Sequence, residues 1–196
     1  MPEDTQLSDS DGVFLVKTAR MAVTEFLSNG KRMKLESEYE GKFSFNSGVF
    51  VTLNNSDGLR GCIGFPMPDK KLSNGIIDAA IAAATEDPRF SPVKTNELND
   101  IVCEVTVLTP PVEITVTDPM EYLEKIKVGR DGLIIRNSFS SGLLLPQVPV
   151  EYGWNVEEFL QHTCEKAGLE KDTWKNEKVK IEKFEGIVYK EKTNGS

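Results

Sequence analysis

Leu59-Arg60-Gly61-Cys62-Ile63-Gly64 sets a thiol two residues from a guanidinium, with a glycine on each side. A cation near a cysteine favours the thiolate, the form of sulfur that attacks electrophiles. Flanking glycines remove side chains that would screen the sulfur. Two residues along one face of a strand span roughly 6–7 Å. Unit charges at that range attract by about 2.5 kcal/mol at a surface-like dielectric, before salt screening.

Two accounts of these residues are open. In the first, Cys62 is the reactive group, Arg60 holds the thiolate or an anionic substrate, and Glu104 moves protons. In the second, Cys62 is a small buried filler and a carboxylate ties up Arg60. Glu104 lies on the face of a strong strand opposite its apolar residues, where a carboxylate is rarely left alone. An ion pair with Arg60 or Arg89 is the structural expectation for it.

Other chemistry finds little support. His162 is the only histidine, so any Cys–His dyad must use it. On a helix His162 and Cys164 are about 200° apart, so they cannot chelate one ion together. A surface histidine near Glu158 and Glu165 is expected. No CxxC or HxxxH spacing suggests zinc, and no metal or cofactor is expected. Gly58, Gly61 and Gly64 fall in a hairpin, not between a strand and a helix. Ser138 to Gly142 is not a GxSxG elbow.

The elements that must position these residues follow from periodicity and turn chemistry. Residues 1 to 10 are polar and expected to fray. Asp11 to Leu27 gathers Val16, Ala19, Val23, Phe26 and Leu27 on one side of a helix that Asn29-Gly30 ends. Lys31 to Lys42 reads as a charged loop. Gly48 to Leu53 and Leu59 to Phe65 form a hairpin around Asn54-Asn55-Ser56-Asp57-Gly58. Pairing Leu53 with Leu59 puts Val51 opposite Gly61 on a core face, and Phe50 opposite Cys62 on a mixed face.

Leu72 to Thr85 is an alanine-rich helix that packs closely on a sheet, and the two prolines of Asp87-Pro88-Arg89-Phe90-Ser91-Pro92 follow it. Ile101 to Leu108 is a strand with Cys103, Val105 and Val107 on one side. Val112 to Val116 is a second strand. A short helix begins at Asp118-Pro119 and runs to about Lys127. Leu133 to Arg136 and Gly142 to Leu145 pair, and Pro146 to Pro149 is a rigid loop. Asn155 and Glu158 cap a helix to Ala167, and Val179 to Ile187 is a last strand. Short hairpin connections favour antiparallel pairing, so the class is α+β with a mostly antiparallel sheet and packed helices.

The 196 residues suffice for one sizeable core, or for a core with a smaller lobe contributed by about residues 112–140. A net charge of −8 argues against general affinity for nucleic acid or anionic membrane. Three cysteines, an odd number without a CxxC pair, suit a reducing compartment. The acidic start lacks signal-peptide features, and no apolar run approaches a membrane span, so a cytoplasmic protein is expected.

LRGCIG at 59–64 is also the most specific block of a resemblance that covers about residues 12 to 190. With GVFVTL at 48–53, DPRFSP at 87–92, EVTVL at 104–108 and LLLPQV at 143–148 in the same order, the chain resembles the AMMECR domain family. That family is named for the AMME chromosomal region and found in archaea, bacteria and eukaryotes; the chain is similar to its archaeal or bacterial type. The resemblance implies a single two-lobed α+β domain in which LRGCIG lines a cleft. Arg60, Gly61, Cys62, Asp87, Arg89, Glu104 and Gln147 stand at its motif positions. It implies a small-molecule or peptide ligand and a pathway shared with Memo-like and radical-SAM proteins, but no secure reaction. A binding or regulatory module, with Arg60, Arg89 and Gln147 as polar contacts and Cys62 merely packing, is the alternative to an enzyme.

Overall fold

The computed structural model describes residues 7–176 and 179–192. The chain divides into two compact units, one of residues 1–107 and 187–196 and one of residues 108–186. Helices and antiparallel strands occur in both, so the fold is α+β.

In the first unit, helix α1 (Asp9–Asn29) opens with a capping box. The Ser8 hydroxyl accepts from the Asp11 amide, and the Asp11 carboxylate accepts from the Ser8 amide. The helix therefore starts inside the stretch expected to fray, and residues 1–6 lie outside the described residues. Gly30, at φ 71°, ends it in the left-handed region as the Asn29-Gly30 pair predicts. The segment read as a loop contains a short helix, α2 (Ser37–Lys42). Six residues are too few to display a helical period.

Strand β1 (Val49–Asn55) is central, with β2 (Gly58–Phe65) and β3 (Val102–Leu108) antiparallel on its two sides. Val49, Val51, Leu53, Cys103, Val105 and Val107 are buried on one face of this sheet. Helix α3 (Leu72–Thr85) packs on that face and α1 packs on α3. The alanines of α3 admit close approach: a Cβ at Gly61 would stand 2.1 Å from the Ala83 carbonyl oxygen. Only glycine fits there.

The second unit is built on β5 (Asp131–Arg136), flanked by β6 (Ser141–Leu144) and β7 (Lys180–Lys190), with β4 (Val112–Glu113) pairing β7. Strand β4 is shorter than the alternation to Val116 suggests. After a 3-10 turn at Pro119–Glu121 comes α4 (Tyr122–Lys125). Pro146 to Pro149, read as a rigid loop, instead starts α5 (Gln147–Tyr152). Pro149 falls in its first turn, where a missing amide proton costs nothing. Helix α6 (Val156–Lys166) has the expected Asn155–Glu158 capping box and packs Phe159, Leu160 and Cys164 into a core with Leu133, Ile135, Ile181 and Trp174.

No helix among the described residues is long and apolar enough to cross a membrane.

Candidate functional site

The hairpin keeps the expected faces but not the expected register. Leu53 pairs with Gly61, Thr52 with Cys62 and Val51 with Ile63, two residues from the sequence-based pairing. A two-residue slip preserves side-chain alternation, so Cys62 still lies on the mixed face and Gly61 on the core face. The offset arises because the strands continue to Asn55 and Gly58, leaving Ser56-Asp57 as the loop. The register then shifts by one between Leu53 and Asn54, and Arg60 is the extra residue with no partner on β1.

That bulge redirects Arg60. Its Nε and Nη2 donate to the two carboxylate oxygens of Glu97 at 2.8 and 3.1 Å, and its Nη1 donates to the Ser91 carbonyl at 2.9 Å. The guanidinium holds the Glu97 carboxyl below its ordinary range, with the Lys94 amide assisting. This fork-to-carboxylate pair occupies Arg60, so it is not free to act on the Cys62 sulfur. Its carboxylate partner is Glu97, not Glu104.

The Cys62 sulfur, half-buried, accepts from the Thr52 hydroxyl at 3.2 Å. Thr52 also pairs with Glu104 on β3, so Cys62, Thr52 and Glu104 form one row across three strands. Neighbours in such a row stand with Cβ atoms about 4.5–5.5 Å apart. Glu104 is half-buried and makes no ion pair with Arg60 or Arg89, both of which are held by other carboxylates. In the next row Phe50 pairs with Gly64 and Thr106, and a Cβ at Gly64 would meet the Phe50 ring at 2.3 Å.

Asp87 fixes the Cys62 backbone. Its carboxylate is 5% exposed and accepts from the Cys62 amide at 2.8 Å. It also takes the Arg89 amide at 3.1 Å, Arg89 Nε at 3.0 Å and Arg89 Nη2 at 2.7 Å. The Arg89 side chain, aided by the two amides, holds this carboxyl far below the usual carboxylate range. Arg89 Nη2 reaches the Cys62 carbonyl as well, at 3.5 Å. Asp87 and Arg89 thus form a clasp on the strand that carries the thiol.

Gln147 is exposed at the start of α5, in the second unit. Gly61 faces α3 and not the polar row. His162 is stacked on Trp154 with its Nδ1 2.7 Å from Glu165 Oε2, the surface position expected. Cys103 and Cys164 are 1% and 0% exposed, and burial pushes their thiols up to about 12 and about 11. No cluster of three or more His, Cys, Asp or Glu side chains suited to a metal occurs among the described residues.

Sequence reasoning missed two participants. Thr52 had no clear signal, since a regular two-residue loop would place it opposite Gly61 and only the bulge at Arg60 brings it opposite Cys62. Glu97 had no local signal, because its partner is 37 positions away in sequence.

Known proteins are similar to this chain over most of its length. Protein MJ0810 of Methanocaldococcus jannaschii is 52% identical over 187 residues, covering 94% of this chain and 92% of its own. A protein of Thermococcus onnurineus is 50% identical over 191 residues, covering 95% and 93%. The crystal structure of an uncharacterised protein, PH0010 from Pyrococcus horikoshii, matches with a TM-score of 0.77 at 49% identity, over 95% of this chain and 94% of that one. The model of the AMMECR1 family matches residues 16–189. The chain belongs to the AMMECR1 family.

Proposed function

We propose that the row Cys62–Thr52–Glu104 is the reactive centre of an enzyme that uses the Cys62 thiol on a small substrate. The observation that carries this reading is the sulfur itself, half-exposed and hydrogen-bonded by Thr52, with the Glu104 carboxylate on the far side of Thr52 in the same row. Cys62 supplies the nucleophile, Thr52 orients its sulfur, and Glu104, one strand beyond Thr52, accepts and returns the proton through the intervening hydroxyl. The Asp87–Arg89 clasp keeps the sulfur in place from behind its own backbone. Arg60 acts as a brace through Glu97, which leaves recognition of an anionic substrate to the outward side of Arg89, whose side chain is 54% exposed. Because Arg60 is occupied by Glu97 and does not act on the thiol, a second reading stands beside the first, a binding module for a metabolite or partner protein without chemistry. A cytoplasmic setting, where thiols stay reduced, suits either reading, as does the implied association with Memo-like and radical-SAM proteins.

Alkylation separates the readings. Under limiting iodoacetamide near neutral pH, Cys62 is expected to label well ahead of Cys103 and Cys164, and Glu104→Gln is expected to slow that labelling without changing the unfolding midpoint. First labelling at Cys103 or Cys164 would remove the enzyme reading. Labelling at Cys62 that ignores Glu104 would favour the binding module.

A further inference from the structure

A hollow of about 390 Å³ lies at the amino end of α3, on the side of the first unit's sheet away from Cys62. That volume is in the range of small-ligand sites. Two cations line it. Arg32 is held in place by Nε on Asp78 at 2.7 Å, Nη2 on the Asn74 side-chain oxygen at 3.2 Å and Nη1 on the Met33 carbonyl at 3.4 Å, which leaves one proton on each of Nη1 and Nη2 undirected. Lys34, exposed, makes no ion pair among the described residues. One carboxylate, Glu40, faces them from α2, so the lining keeps a net positive charge.

The second, independent observation is Ser73. This residue lines the same hollow, is 1% exposed, and its hydroxyl has no hydrogen-bond partner among the described residues. Buried hydroxyls are rarely left so, because desolvation without a partner costs free energy. The α3 amides do not explain it. Those of Leu72 and Ser73 donate to the carbonyls of Phe45 and Phe43, and those of Asn74 and Gly75 to that of Lys71. The donors left for a ligand are therefore side chains: the Ser73 hydroxyl, the Asn74 amide, Lys34 and the outer face of Arg32. Leu35 and Ile77 supply an apolar wall.

We infer that this hollow binds a small metabolite through an oxyanion, a phosphate or a carboxylate, seated among Arg32, Lys34 and the Ser73 hydroxyl. The amino end of α3 adds favourable dipole charge. The apolar wall takes the uncharged part of the molecule, and Glu40 accepts from its hydroxyl or amino groups. The site is separate from the Cys62 row, so its failure or success is independent of the function proposed there.

The test titrates isotope-labelled full-length protein with inorganic phosphate and, in a second arm, with acetate, at constant ionic strength set by chloride. Saturable amide shifts confined to residues 32–40 and 72–75, with millimolar affinity, are expected for at least one probe. Phosphate alone saturating identifies a phosphoryl group, and acetate alone a carboxylate. Ser73→Ala is expected to weaken the bound probe about tenfold with no loss of thermal stability, and Lys34→Gln to weaken it similarly. Absence of saturable shifts with both probes would overturn the inference. So would unchanged affinity in Ser73→Ala, since only surface charge would then remain.

Discussion

Asp87 shows how one side chain can set the position of another without touching it. Its carboxylate holds the Cys62 amide, the Arg89 amide and the Arg89 guanidinium, all as acceptor. In Asp87→Asn one acceptor oxygen becomes an NH2, which must face an N–H donor. The expected cost is about 2–3 kcal/mol at pH 7, read as a fall in the denaturant midpoint. Its pH dependence has a definite sign. Folding depresses this carboxyl from its ordinary value of 3.8, so its contribution is present above that value and lost as pH falls through it toward the folded value. Between pH 6 and pH 3 the stability gap between the natural protein and Asp87→Asn should narrow by about 1 kcal/mol. A constant gap over that range would show that the carboxylate is not preferentially ionised in the folded chain. Faster alkylation of Cys62 in the same variant would show that the clasp steadies the sulfur.

Between elements, β2 lies close against the backbone of α3, and glycine makes this possible. Gly61→Ala would place a methyl group 2.1 Å from the Ala83 carbonyl oxygen, a backbone atom that cannot turn aside. Strand and helix must part, at a cost of about 3 kcal/mol, the upper end for overpacking. Circular dichroism melts should show it, and a midpoint within a degree of the natural protein would mean that α3 slides freely over the sheet. The alanine run of α3 was legible as a closely packing face, but the glycines of β2, which read as uncovering the sulfur, instead admit Ala83 at Gly61 and the Phe50 ring at Gly64. Legible too were the capping box at Asn155 and the left-handed ending at Gly30, which are local chemistry. The faces of the hairpin were legible for the same reason, since alternation survives any even slip. Its register was not, because Asn54 and Asn55 suit a turn as well as a strand end, and the one-residue bulge left no mark in composition. The same limit hid the Arg60–Glu97 pair. Arg60 reads as a neighbour of Cys62 along a regular strand, and only the bulge turns it toward a residue from another part of the chain.

On the scale of the whole molecule, the chain leaves the first unit after Val107 and returns at Ile187. Tyr189 of the returning segment packs on the first core, and the polar fastening of its end centres on Arg20. Its guanidinium donates to both Glu191 carboxylate oxygens and to the carbonyls of Leu98 and Ile101. Glu191 in turn accepts from the Cys103 amide at 3.0 Å and donates its own amide to the Cys103 carbonyl at 2.9 Å. Helix α1, strand β3 and the returning end of the chain thus share one hydrogen-bond network. Arg20→Met keeps the apolar stem but leaves a partly buried carboxylate and two carbonyls without their donor. Because the Arg20 and Glu191 side chains remain 23% and 29% exposed, the cost should fall at the low end for a broken buried pair, about 3 kcal/mol. Cys103 gives a readout inside this network, since its thiol is 1% exposed and pushed up to about 12 by burial. If closing is fast relative to alkylation, labelling follows the open population, and 3 kcal/mol corresponds to about a 150-fold faster modification of Cys103. Cys164, buried in the second unit, serves as the reference thiol in the same sample. A Cys103 rate unchanged relative to Cys164 would mean that the returning segment is held by something other than Arg20.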